Sequence, residues 1–142
     1  MPHKKIRVLI ADDFAMLRQV IKMLLERTGD IEVVGEAPDL EDALKDVQVL
    51  QPDVILMNDY LPPMNSARAT KLFRELDITA AILIISMHAD TELIHESFAS
   101  GANGLVYKDE MGALLPEAIR KVHNKEHYLS PMAANALARE KD

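Results

Sequence analysis

The sequence predicts an α/β fold, a doubly wound parallel sheet covered by helices on both faces. Three observations carry this. Five short strand-like runs recur along the 142 residues, helical patterns fill the gaps between them, and three of the runs are apolar nearly throughout. Strands covered on both faces read as continuous apolar runs, and strands separated by helices form right-handed crossover units in a parallel sheet.

The strands are predicted at 6–11 (IRVLIA), 31–36 (IEVVGE), 53–58 (DVILMN), 81–86 (AILIIS) and 103–107 (NGLVY). In the first helix, 14–28, Met16, Leu17, Val20, Ile21, Leu24 and Leu25 repeat at helical spacing, and Gly29 supplies a stop. The second, 39–50, takes Asp39 as N-cap and places Ala43, Leu44, Val47 and Leu50 on one face. The third, 65–76, is capped by Asn65 or Ser66 and carries Ala69, Leu72, Phe73 and Leu76. The fourth, 90–100, starts at Asp90, turns Leu93, Ile94 and Phe98 inward and stops at Gly101. The fifth, 112–124, shares Leu115, Ile119 and Val122 on one face, and its Pro116 is tolerable only in the first turn. In the tail, Ser130 before Pro131 marks a helix start, with Ala133, Ala136 and Leu137 as a small apolar stripe. Such a single short helix is either a solvated chain end or a linker toward a further domain.

Bulk properties narrow the function classes. Hydrophobic residues at 49% and charged residues at 27% describe an ordinary soluble globular domain. No apolar run reaches membrane-spanning length, the chain has no cysteine for disulfides or thiolate metal sites, and a cytoplasmic location is expected. A net charge of −7 argues against nucleic-acid binding by this chain alone.

Polar residues cluster where the strands end. Strand one runs into Asp12 and Asp13, strand three ends in Asn58 with Asp59 next, strand four ends in Ser86, and Lys108 follows strand five. In a parallel sheet these ends share one edge, where α/β folds bind ligands. Adjacent carboxylates suit a cation such as Mg²⁺, and a lysine suits a phosphoryl group. Lesser candidates read blandly. His123 and His127 are expected to share a helix face at i, i+4, a zinc-compatible spacing, but with no third ligand; His88 sits near the rim, and the eight methionines read as core filler.

Over residues 4 to about 124 the chain resembles the receiver domain of bacterial two-component response regulators. The motifs are IADD (10–13), PDVILM with LP after it (52–62), IIS (84–86) and GANGLVYKD (101–109). The ending AIRKVHNKEHYLSP (118–131) resembles the linker of the NarL/FixJ subgroup, so 125–142 reads as a linker or helix toward a DNA-binding domain outside this chain. The resemblance implies a flavodoxin-like fold of strand order 2-1-3-4-5. It also implies Mg²⁺-assisted phosphoryl transfer from a histidine kinase or small phosphodonor, and homodimers formed through the later helices. Asp12 and Asp13 match the acidic pair, with Asp13 as direct metal ligand beside the Tyr60 carbonyl; Ser86 matches the residue that senses the phosphoryl group, and Lys108 its lysine partner.

The phosphoacceptor position is Asn58, and an amide forms no acyl phosphate by this route. Asp59, one step on, is expected to point elsewhere as an exposed loop carboxylate. Other departures are PMNSA (63–67) in place of the family's glycine-rich loop, and Leu105 where its rotating aromatic stands. Tyr107 is expected on the wrong alternation to replace that aromatic. Asp109 follows the lysine in place of a frequent proline, so no cis bond is expected there. The leading expectation is a pseudo-receiver that works without phosphorylation. The alternatives are an ordinary receiver whose acceptor Asp was replaced by Asn, a small Mg²⁺-dependent phosphohydrolase, and a flavin-binding domain of the same fold.

Overall fold

The computed structural model describes residues 4–87 and 90–140, so His88 lies outside the described residues. Strands β1 (Ile6–Ala11), β2 (Ile31–Ala37), β3 (Val54–Asn58), β4 (Ala81–Ser86) and β5 (Gly104–Tyr107) are the five expected. All pair in parallel, in the order 2-1-3-4-5 of a flavodoxin-like sheet. A sixth short strand, β6 (Tyr128–Leu129), adds to the free edge of β5.

Alternation along the strands feeds two cores. Leu9, Ile55, Ile82 and Leu105 pack under helices α2 (Leu40–Leu50), α3 (Ser66–Glu75) and α4 (Thr91–Ser100). Val8, Leu56, Leu83 and Val106 pack under α1 (Ala15–Glu26) and α5 (Met111–His123). The caps read from sequence hold: Asp39 accepts the Asp42 N–H, Asn65 that of Arg68, and Asp90 those of Glu92 and Leu93.

Five sequence expectations need correction. Helix α1 ends at Glu26, closed by the Thr28 hydroxyl donating to the Leu25 carbonyl at 2.7 Å, and Gly29 at φ 84° serves the following turn. Its apolar stripe is wider than the sheet beneath it. Leu17, Ile21 and Leu25 are buried, whereas Met16, Val20 and Met23 are 70%, 47% and 59% exposed. Pro116 is the sixth residue of α5, past the first turn. The carbonyl it leaves without a donor belongs to exposed Gly112, where water reaches it.

His123 ends α5 while His127 lies beyond the turn against the Phe98 ring, so the two share no helix face. Finally, the tail is not a solvated end. Helix α6 (Pro131–Glu140) docks through buried Ala133 and partly buried Leu137. The buried Ser130 hydroxyl oxygen accepts the Tyr107 N–H, and His95 pairs with Glu140 at 2.9 Å.

A bidentate pair ties α5 to the turn before β2: Arg120 Nε and Nη2 reach Asp30 at 2.7 and 3.0 Å. The guanidinium holds the Asp30 carboxyl at about 2, below the ordinary 3.8. A depressed carboxyl pKa contributes stability above the unfolded-state value and loses it as pH falls through the folded-state value. Asp30 is about half exposed, so after solvent screening the gain is at most about 1 kcal/mol. In urea unfolding, Asp30→Asn should be less stable than the parent near neutrality. The gap should close as pH falls from 3.8 toward 2. A gap that stays constant across that window would refute the assignment.

Candidate functional site

The carboxyl ends of β1, β3, β4 and β5 bring the predicted residues to one edge. Asp12 directly follows β1 and is 2% exposed. Its Oδ1 accepts the Phe14 N–H at 2.9 Å, and the Arg18 guanidinium donates to its carbonyl at 2.6 Å while Nε reaches Glu36 at 3.0 Å. Burial pushes the Asp12 carboxyl up; the Phe14 N–H opposes this, Asp13 adds to it, Arg18 opposes it, and Asp59 adds to it. Asp13 is exposed. Arg18 and Glu36 were missed in the sequence. The only signal was an arginine one turn into α1 and a glutamate near the end of an adjacent strand.

Asn58 ends β3, half-buried, and its Oδ1 accepts the Asp59 N–H at 3.0 Å. Asp59 is not the exposed loop carboxylate expected. It is half-buried, and its Oδ2 accepts the Met87 N–H at 3.0 Å. Ile55 and Met57, at alternate positions before it, pack with Ile82 and Ile84 of the neighbouring strand. Met87 begins the segment leaving that strand.

Ser86 is buried at the end of β4. Lys108 is half-buried in a 3₁₀ turn (Lys108–Glu110) and makes no ion pair among the described residues. Tyr60 is exposed, its backbone pairing antiparallel with Asn65 in a two-residue ladder. The expectation for Tyr107 is overturned: Leu105 and Tyr107 lie two apart on one strand and share the core under α4. The one cis peptide among the described residues is Pro62–Pro63, and Lys108–Asp109 is trans.

As a metal centre the donors suit a hard cation in kind, since all are oxygens, but not in number of charges. The acceptor position is neutral, its oxygen already takes an N–H, and no group of three or more His, Cys, Asp or Glu converges among the described residues. The residues therefore do not form a complete divalent-cation centre. A cavity of about 450 Å³ beside the site is lined by Asp59, Asp90, Glu92 and Glu96 with Tyr60, Asn65 and Leu93. Four carboxylates and no cation make it hostile to a phosphate ester.

The comparisons with known proteins agree with this fold. The chain is 33% identical over 135 residues to the oxygen regulatory protein NreC of Staphylococcus carnosus, covering 94% of this chain and 62% of that protein. It is 30% identical over 138 residues to the transcriptional regulatory protein DegU of Brevibacillus brevis, covering 97% and 58%. The chain thus spans about three fifths of the curated relatives it matches. Among solved structures, a LuxR-family two-component response regulator from Aurantimonas sp. SI85-9A1 superposes with a TM-score of 0.92 at 31% identity, covering 97% of this chain and 99% of that one. The signal receiver domain of the putative response regulator NarL from Mycobacterium tuberculosis gives 0.81 at 28% identity, covering 86% and 98%. Among the described residues no helix is long and apolar enough to cross a membrane. The family of response regulator receiver domains matches residues 8–120, and with the strand order and the acidic edge already in place, the chain belongs to that family.

Proposed function

We propose that this chain is the receiver of a NarL/FixJ-type transcription regulator that signals through protein contacts without accepting a phosphoryl group. One observation carries the reading: the residue at the carboxyl end of β3, on the edge shared with Asp12, Ser86 and Lys108, is the amide Asn58. An amide nitrogen is delocalised and its oxygen carries no formal charge, so neither attacks phosphorus as a carboxylate does. Ser86 and Lys108 remain as the groups that would sense and neutralise a phosphoryl group.

The partners follow from the same reading. They are a histidine kinase as docking partner, a second copy of the chain without any phosphodonor, and DNA only through a C-terminal domain outside this chain. Asp12 and Asp13, with the Asn58 and Tyr60 oxygens, would hold Mg²⁺ only weakly, and the ion would supply charge neutralisation there. Intact mass after incubation with acetyl phosphate and Mg²⁺ tests the reading. The chain should stay at its starting mass; a gain of one phosphoryl group would overturn it, and tandem mass spectrometry would place the label.

A further inference from the structure

Asp59 is held at all three of its polar groups. Its N–H donates to Asn58 Oδ1 at 3.0 Å, its carbonyl accepts the Ser66 N–H at 2.9 Å, and its Oδ2 accepts the Met87 N–H at 3.0 Å. The third bond joins the end of β3 to the segment between β4 and α4, 28 residues along the chain. Met87 follows buried Ser86 directly, and α4 begins at Thr91. The carboxylate therefore holds the backbone directly after the strand that carries Ser86.

We propose that Asp59 is the resident anion of this edge, a positioning residue that holds the Met87 amide in the place that a phosphoryl group on residue 58 would otherwise govern. The proposal rests on the reading of Asn58 as unable to accept that group. Residues 58 and 59 work as a pair. The neutral amide fixes the Asp59 backbone with its oxygen and adds no negative charge beside Asp12, Asp13 and Asp59. A carboxylate in its place would add one, with like-charge repulsion. An N–H donated to a carboxylate is stronger than one donated to a neutral oxygen, so the tie outlasts an ordinary loop contact. The input to α4 is then constant rather than switched.

The test follows the Met87 amide by hydrogen exchange and ¹⁵N NMR in the full chain. Asp59→Ala should speed its exchange about tenfold or more, with amide shifts spreading into Thr91–Ser100 and leaving α5 quiet. Asp59→Asn keeps an acceptor oxygen and loses the charge, so its exchange should fall between the two. This variant also carries the test if Asp59→Ala does not fold. Unchanged Met87 exchange in the folded variants would overturn the proposal.

A second readout is one that a merely structural role would not move. With Asn58→Asp as background, adding Asp59→Ala removes the competing anion and should raise the rate of labelling by acetyl phosphate severalfold. Label appearing only in the double variant supports the proposal equally. Labelling no faster than in Asn58→Asp, or none in either, counts against it. Labelling of the unmodified chain would sink the functional reading and leave the Met87 result standing, so the two failures are distinct.

Discussion

Asn58→Asp should convert a chain that takes no phosphoryl group into one that does. The new carboxylate oxygen attacks the phosphorus of acetyl phosphate, the bond from phosphorus to the acyl oxygen breaks, and acetate leaves with the electron pair. The surroundings favour it. Ser86 is buried at the adjoining strand end, Lys108 stands without an ion pair among the described residues, and Asp12 and Asp13 remain for a cation. The substitution also adds the charge the metal set lacks. One unit charge at about 4 Å from a cation is worth about 4 kcal/mol at an effective dielectric of about 20, before desolvation. Labelling should nevertheless be slow, because Asp59 holds the Met87 amide and adds its own negative charge. The structural response should be muted as well, since Leu105 stands where the resemblance puts a rotating aromatic, and Tyr107, on the same face, is buried in the core. Intact mass over time with Mg²⁺ and donor in excess reads the result. A variant that stays unlabelled even without Asp59 would show that the edge has lost more than its acceptor.

Much of this was legible in the sequence, for physical reasons. Burial on both sheet faces writes itself as uninterrupted apolar runs, so β1, β3 and β4 could be read almost to the residue. Side-chain caps are local chemistry: Asp39 and Asp90 could be named in advance, and Asn65 was one of two candidates. What escaped reading depends on what stands opposite. Tyr128–Leu129 has two residues and no pattern; it is a strand because β5 leaves an edge open. The exposure of Met16 and Met23 depends on how wide a stripe the sheet can cover, which spacing does not encode. Alternation carried no sign of the Met87 N–H that the Asp59 carboxylate takes up. The face of Tyr107 was legible, since a separation of two from Leu105 requires a shared side.

Arg74→Ala should cost about 3 kcal/mol of stability, read by urea unfolding. The Arg74 guanidinium is a clasp between the loops before β4 and β5. Nη1 donates to the carbonyls of Ile78 at 2.6 Å and Ala80 at 2.8 Å. Nε and Nη2 both donate to the Gly101 carbonyl, at 3.1 and 2.9 Å, and Nη2 also reaches Asn103 Oδ1 at 3.0 Å. Every acceptor is a neutral oxygen, and burial pushes the guanidinium pKa down. Truncation leaves three carbonyls short of donors, each worth about 1 kcal/mol or more where water does not replace the arginine. Arg74→Lys should recover little, because one ammonium cannot span acceptors arranged for a planar fork. Gly101 makes the claim stricter. Its φ of 111° suits glycine, and a Cβ there would stand 2.8 Å from Arg74 Cγ. Gly101→Ala should therefore cost less in the Arg74→Ala background than in the parent, by about 1 kcal/mol of coupling. Helix α4 is then held at its carboxyl end, by Arg74 through Gly101. Strictly additive costs, or a loss below about 1 kcal/mol for Arg74→Ala, would show that water replaces the clasp and that α4 is anchored by its apolar face alone.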